Sequence, residues 1–131
     1  MVTPLKRFWQ RWTGGSKTAQ PEKVSKVEFR LLFGRTTVGT LIFDSGKWKY
    51  HYSEEFKRKE DFRPIVQFPD KEKDYESDEL WPFFAMRIPS PKQPAIQRIM
   101  AEENIDEADR VHLLKRFGKR TISNPFVLTD G

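Results

Sequence analysis

Cysteine is absent from the 131 residues, which removes disulfides, thiolate metal sites and cysteine nucleophiles together and leads to an expected reducing compartment, the cytoplasm. Histidine is scarce: His51 and His112 stand alone, and neither belongs to an HxxxH or HExxH spacing, so metal chemistry is not expected. No apolar run approaches the roughly 18–20 residues needed to cross a bilayer, and the first residues lack the apolar centre of a secretory signal. A soluble protein without a transmembrane segment is the expectation. No GxxxxGK[ST], GxGxxG or GxSxG pattern occurs, and Gly14-Gly15 has no strand-to-helix context that would make it a phosphate cradle. The carboxylate pairs Glu54-Glu55, Asp78-Glu79 and Glu102-Glu103 are sequence neighbours within charged stretches, which solvation explains without an acid and base couple. These absences predict a protein that is not an enzyme, with no catalytic residue, metal or cofactor.

The net charge of +5 suggests an anionic partner until it is divided along the chain. Residues 1–26 hold Lys6, Arg7, Arg11, Lys17, Lys23 and Lys26 against Glu22 alone, which accounts for all of it. The other residues carry 18 basic side chains (24 less 6) and 18 acidic ones (19 less 1). A balanced body weakens the case for a phosphate-binding fold, whose basic groups would be expected on one face of the folded part.

Within the basic segment, residues 4–12 (PLKRFWQRW) place Leu5, Phe8, Trp9 and Trp12 at i, i+3, i+4 and i+7, one face of a helix. Lys6, Arg7, Gln10 and Arg11 fall largely opposite. So short a helix is marginal in water, so the aromatic stripe with Arg11 needs a surface to dock on. That surface can belong to this protein's own domain, a second copy, another protein or an anionic membrane. Residues 13–25 (TGGSKTAQPEKVS) read as a flexible linker, and the folded domain is expected to span 26–131.

From Val27 to Phe33 the apolar residues alternate as a half-buried strand requires, and Thr36–Phe43 is rich in β-branched residues. Lys47–Tyr52 alternates Trp48, Tyr50 and Tyr52 with Lys47, Lys49 and His51. Gly34-Arg35 and Asp44-Ser45-Gly46 supply the turns of a three-stranded antiparallel meander. Aromatics interleaved with lysines also occur on single-stranded nucleic-acid platforms, but here the two kinds fall on opposite faces, a core face and a solvated one. Residues 53–63 read as a surface turn or short helical excursion, Pro64–Phe68 as a short edge strand, and 69–79 as a polar loop. Two further helices are expected, 93–103 with Ile96, Ile99 and Met100 inward, and 107–117 capped by Asp106 with Ala108, Val111 and Leu114 inward. Gly118 is the expected stop of the second, and Thr121–Leu128 a last strand interrupted at Pro125. The fold class is therefore α+β: a small antiparallel sheet, a meander plus edge strands, packed with about three short helices in the C-terminal half.

The stretch Ser77–Pro91 (SDELWPFFAMRIPSP) is the densest apolar patch and the expected organiser of the packing. Ser77 is a candidate N-cap, yet Pro82 would then cost a helical hydrogen bond, so a start near Glu79–Trp81 or a kink is predicted. Pro89 and Pro91 end the helix. Trp81, Phe84 and Arg87 are the candidate partner-binding residues, aromatic and arginine anchors of the kind that dominate interfaces. Trp81 and Phe84 have an equally plain reading as core.

Taken in order, VGTLIFDSGKWKYHYSEEF, PIVQFP, ELWPFFAMRIPSP and a helix carrying LLKRFG resemble the N-terminal subdomain of HipA-type serine/threonine kinases, the toxins of bacterial toxin–antitoxin systems. Val38, Gly39 and Leu41 match that family's V-G-x-L motif, and Phe83, Phe84, Ile88 and Pro89 its helix motif, whereas Ala85, Met86 and Arg87 depart from it. The resemblance implies a free-standing copy of the subdomain, similar to HipS-type proteins, without the kinase portion. It implies binding to a separately encoded HipA-like kinase, restraint of that kinase in trans, and a helix-turn-helix DNA-binding protein as a further component of the complex. The competing expectation is nucleic-acid or anionic-surface binding through the basic aromatic tail, with Phe8, Trp9, Arg11 and Trp12 as its docking residues.

Overall fold

The computed structural model describes residues 26–130, so the tail and linker, with Phe8, Trp9, Arg11 and Trp12, lie outside the described residues. Strands β1 (Lys26–Phe33), β2 (Thr36–Asp44) and β3 (Lys47–Tyr52) form the meander that their alternation predicts. The β2–β3 turn has positive φ at both central residues, Ser45 at 53° and Gly46 at 82°, the geometry that follows the twist of the strands it joins. Edge strands β4 (Tyr75–Ser77) and β5 (Val127–Asp130) complete an antiparallel sheet in the order β4-β3-β2-β1-β5. The fold is α+β.

One sheet face is the core, and its pattern contains a parity change. Val38 and Leu41 are both buried, although strict alternation would place them on opposite faces. The pairing explains it: Leu31 opposes Gly39 while Leu32 opposes Thr37, so Val38 is an extra, bulged residue and the inward set shifts by one. Phe29, Leu31, Leu41, Trp48, Tyr50, Tyr52 and Leu128 join Val38 on that face.

Three of the four short helices among the described residues, with one turn, cover it. In α1 (Glu54–Arg58), Ser53 Oγ accepts the Phe56 N–H at 3.0 Å and donates to the Thr37 carbonyl, which ties the helix to β2 and drives Phe56 into the core. Helices α2 (Pro82–Ala85), α3 (Pro94–Glu102) and α4 (Arg110–Phe117) follow. Met100, Ile105 and Leu113 make a second, smaller cluster beside Ile88, Ile96 and Phe117, while Leu114 reaches the main core.

Several boundaries differ from the sequence reading. Pro64–Phe68 is a turn rather than a strand, because the Tyr52 hydroxyl donates to the Phe68 carbonyl at 2.6 Å and accepts the Ile65 N–H at 2.8 Å. Those backbone groups are satisfied without a ladder. Tyr75–Ser77, within the expected loop, pairs with β3 instead. The helix of the Ser77–Pro91 stretch does start late, with Trp81 at its N-cap and Pro82 in its first turn where the missing N–H is harmless, but it ends at Ala85, ahead of Pro89. Ser77 Oγ accepts the Glu79 N–H at 3.1 Å in a local turn and does not cap α2. Helix α4 is capped by Asp109, which accepts the His112 N–H at 3.0 Å, and not by Asp106, which accepts the Ala108 N–H at 2.9 Å and leaves Ala108 exposed. The last strand begins after Pro125, at Val127.

Candidate partner-docking surface

Helix α2 is held from three sides. Gln67 Oε1 accepts the free Phe83 N–H at its start, at 3.0 Å. Phe84 enters the core fully, 0% exposed, with ring centroids 5.7 Å from Tyr50, 6.1 Å from Phe68 and 5.1 Å from Phe83. Trp81, half-buried, sets its edge against Phe68 at 5.0 Å.

Arg87 makes the third attachment. It is 4% exposed, and its two terminal nitrogens donate to the carbonyls of Gly118 and Lys119, both at 3.2 Å, to Asn124 Oδ1 at 3.2 Å and to the Phe126 carbonyl at 3.1 Å. Its guanidinium also lies 5.7 Å from the Phe83 ring centroid. No carboxylate forms an ion pair with it among the described residues, and burial pulls its pKa below the usual arginine value. The planar fork thus gathers oxygens from the segment between the end of α4 and the start of β5, and fastens that crossing to α2.

The three residues singled out in the sequence are therefore divided. Phe84 and Arg87 spend their side chains inside the molecule and offer a partner no surface, while Trp81 keeps part of its ring outside. What α2 does present is an apolar groove of about 510 Å³, lined chiefly by Pro64, Val66, Pro82, Phe83, Met86 and Phe126. Val66 is 91% and Met86 50% exposed. Arg63 and Phe126 connect it to a second recess of about 280 Å³ that holds Phe33, Phe62 and Asp61. Val66 was hidden from sequence reasoning because PIVQF reads as a strand. The turn that replaces the strand exposes it.

Among the described residues no cluster of His, Cys, Asp or Glu could hold a metal ion, and no helix is long and apolar enough to cross a membrane. His51 is half-buried on β3 and His112 is exposed on α4.

A family model described as the HipA N-terminal domain matches residues 30–123. The chain belongs to that family. Comparison with curated proteins finds no match. The matched span runs from β1 through α4 to the turn that Arg87 fastens, and it places this HipA N-terminal domain in the context of the HipA toxin system. Its V-G-x-L stretch, Val38–Leu41, has a steric account. A Cβ on Gly39 would lie against the Tyr50 hydroxyl, 2.5 Å from the His51 carbonyl oxygen and 2.7 Å from Tyr50 Cζ, so only glycine lets that ring cross the sheet.

Proposed function

We propose that this HipA N-terminal domain is a non-catalytic module that binds a separately encoded HipA-like serine/threonine kinase and regulates it in trans, as the antitoxin-like component of a toxin–antitoxin system. A helix-turn-helix DNA-binding protein is a further member of the proposed complex. Family membership supports the choice of partner, and the observation that carries the docking face is the exposed apolar groove beside α2. Val66, Pro82, Phe83 and Met86, with the outer part of Trp81, take the anchoring role; Phe84 and Arg87 hold that face in shape from within.

Co-purification with a HipA-like kinase followed by a phosphorylation assay tests the reading. Met86→Asp and Val66→Asp place a charge on the groove without disturbing the core, and each is expected to weaken the complex by about tenfold or more. No complex, and no change in phosphorylation, would remove the hypothesis.

The concentration of positive charge in residues 1–26 favours a second reading, binding of nucleic acid or an anionic surface by the tail. That reading predicts steeply salt-dependent binding that vanishes when residues 1–25 are deleted, whereas a kinase complex survives the deletion.

A further inference from the structure

Among the described residues nothing fills the groove beside α2, and the sequence of residues 5–12 in the same chain carries an aromatic stripe at helical spacing. We infer that the segment Leu5–Trp12 of this same molecule docks its apolar stripe into the groove lined by Val66, Pro82, Phe83, Met86 and Phe126. Helical spacing brings Leu5, Phe8, Trp9 and Trp12 onto one face, and a stripe of that kind needs a receiving surface because so short a helix is marginal alone. The groove supplies one: its volume of about 510 Å³ is in the range of apolar pockets that receive bulky side chains, and its lining is almost entirely carbon.

The tether permits the contact. The domain starts at Lys26, at the far end of β1 from Phe33, and Phe33 lines the recess continuous with the groove. The eight residues of β1 span roughly 25 Å at about 3.3 Å per residue. Thirteen residues separate Trp12 from Lys26, and a flexible chain of that length extends to about 45 Å at most and has an r.m.s. reach of roughly 20 Å. An attachment of that length holds the stripe at a millimolar-scale effective concentration around the groove. Lys6, Arg7 and Arg11 fall on the opposite face of the stripe, and Asp61 and Arg63 in the adjoining recess balance one another, so the contact inferred is apolar.

The absence of cysteine makes a direct test simple, since one introduced thiol is unique. A nitroxide is attached to the full chain at Glu60→Cys, next to the recess, and the indole N–H signals of Trp9 and Trp12 are followed by NMR. Both are expected to lose most of their intensity relative to the reduced label, and to recover it when Met86→Asp or Val66→Asp is added. A nitroxide at Arg98→Cys on α3 is expected to leave them largely unaffected. Equal attenuation from both labels, or attenuation indifferent to the groove variants, overturns the inference. So does attenuation seen only when labelled and observed chains are different molecules, which would assign the groove to a second copy. The readout needs no kinase, so it stands or falls separately from the proposed function.

Discussion

Arg87 puts a cation where a core would ordinarily have an aliphatic side chain, and its two terminal nitrogens are satisfied by four oxygens rather than by a carboxylate, while its buried Nε has no partner among the described residues. Truncation removes a donor from the Gly118 and Phe126 carbonyls, while the Lys119 carbonyl keeps the Leu128 N–H at 2.8 Å and Asn124 Oδ1 keeps the Phe126 N–H at 3.1 Å. Arg87→Ala is therefore expected to cost about 3 kcal/mol in urea unfolding, within the range for removing one partner of a buried charged network. Arg87→Lys should recover only part of it, because an ammonium cannot reproduce the fork that reaches Gly118 and Phe126 at once. Equal stability of all three proteins would show that the crossing holds without the guanidinium.

At the level of elements, the covering layer is assembled by side chains that bind backbone across long sequence separations. Tyr52 clamps the Ile65–Phe68 turn, Gln67 from that turn receives the first free N–H of α2, and the turn carries Val66 outward into the groove. Burial, outweighing the Ile65 N–H that favours ionisation, pushes the Tyr52 phenol up from its ordinary 10 to about 12. Tyr50, whose buried hydroxyl has no hydrogen-bond partner, is pushed up as well, by burial and then by Tyr52. The sign follows from linkage: below pH 10 both states keep the proton and the contribution is intact. Between about pH 10 and 12 the unfolded chain ionises first, and stability falls by about 1.4 kcal/mol per pH unit for Tyr52. Urea midpoints measured from pH 9 upward should decline along this window, and Tyr52→Phe should flatten the decline while lowering stability at neutral pH.

For the whole molecule, the two apolar clusters meet at α4, where Leu113 faces the smaller one and Leu114 the larger. Ile88 packs against both. Adjacent residues divided between two clusters leave no boundary at which one could melt alone, so unfolding should be a single transition. Tryptophan fluorescence and far-ultraviolet circular dichroism are expected to give coincident curves. Leu114→Ala should shift both together by about 2–5 kcal/mol. Separate shifts would mean that the α3–α4 portion is an independent unit.

The meander, its turns, α3 and the α+β class were legible in the sequence because each rests on local periodicity: alternation in β1 and β3, glycine at turns requiring positive φ, a helical stripe after Pro94. The apolar density of Ser77–Pro91 suggested an organiser of the packing, but the core is built on the sheet face, and of that stretch's large apolar residues only Phe84 is fully buried. The roles inside that stretch were not legible. Aromatic and arginine anchors read alike whether they face a partner or the interior, and only the course of the chain from Gly118 to Phe126 brought four oxygens to Arg87 and turned it inward. Val66 became exposed surface through a different long-range contact. A hydroxyl on β3, distant in sequence, satisfied the backbone at Ile65 and Phe68 and replaced an expected strand with a turn.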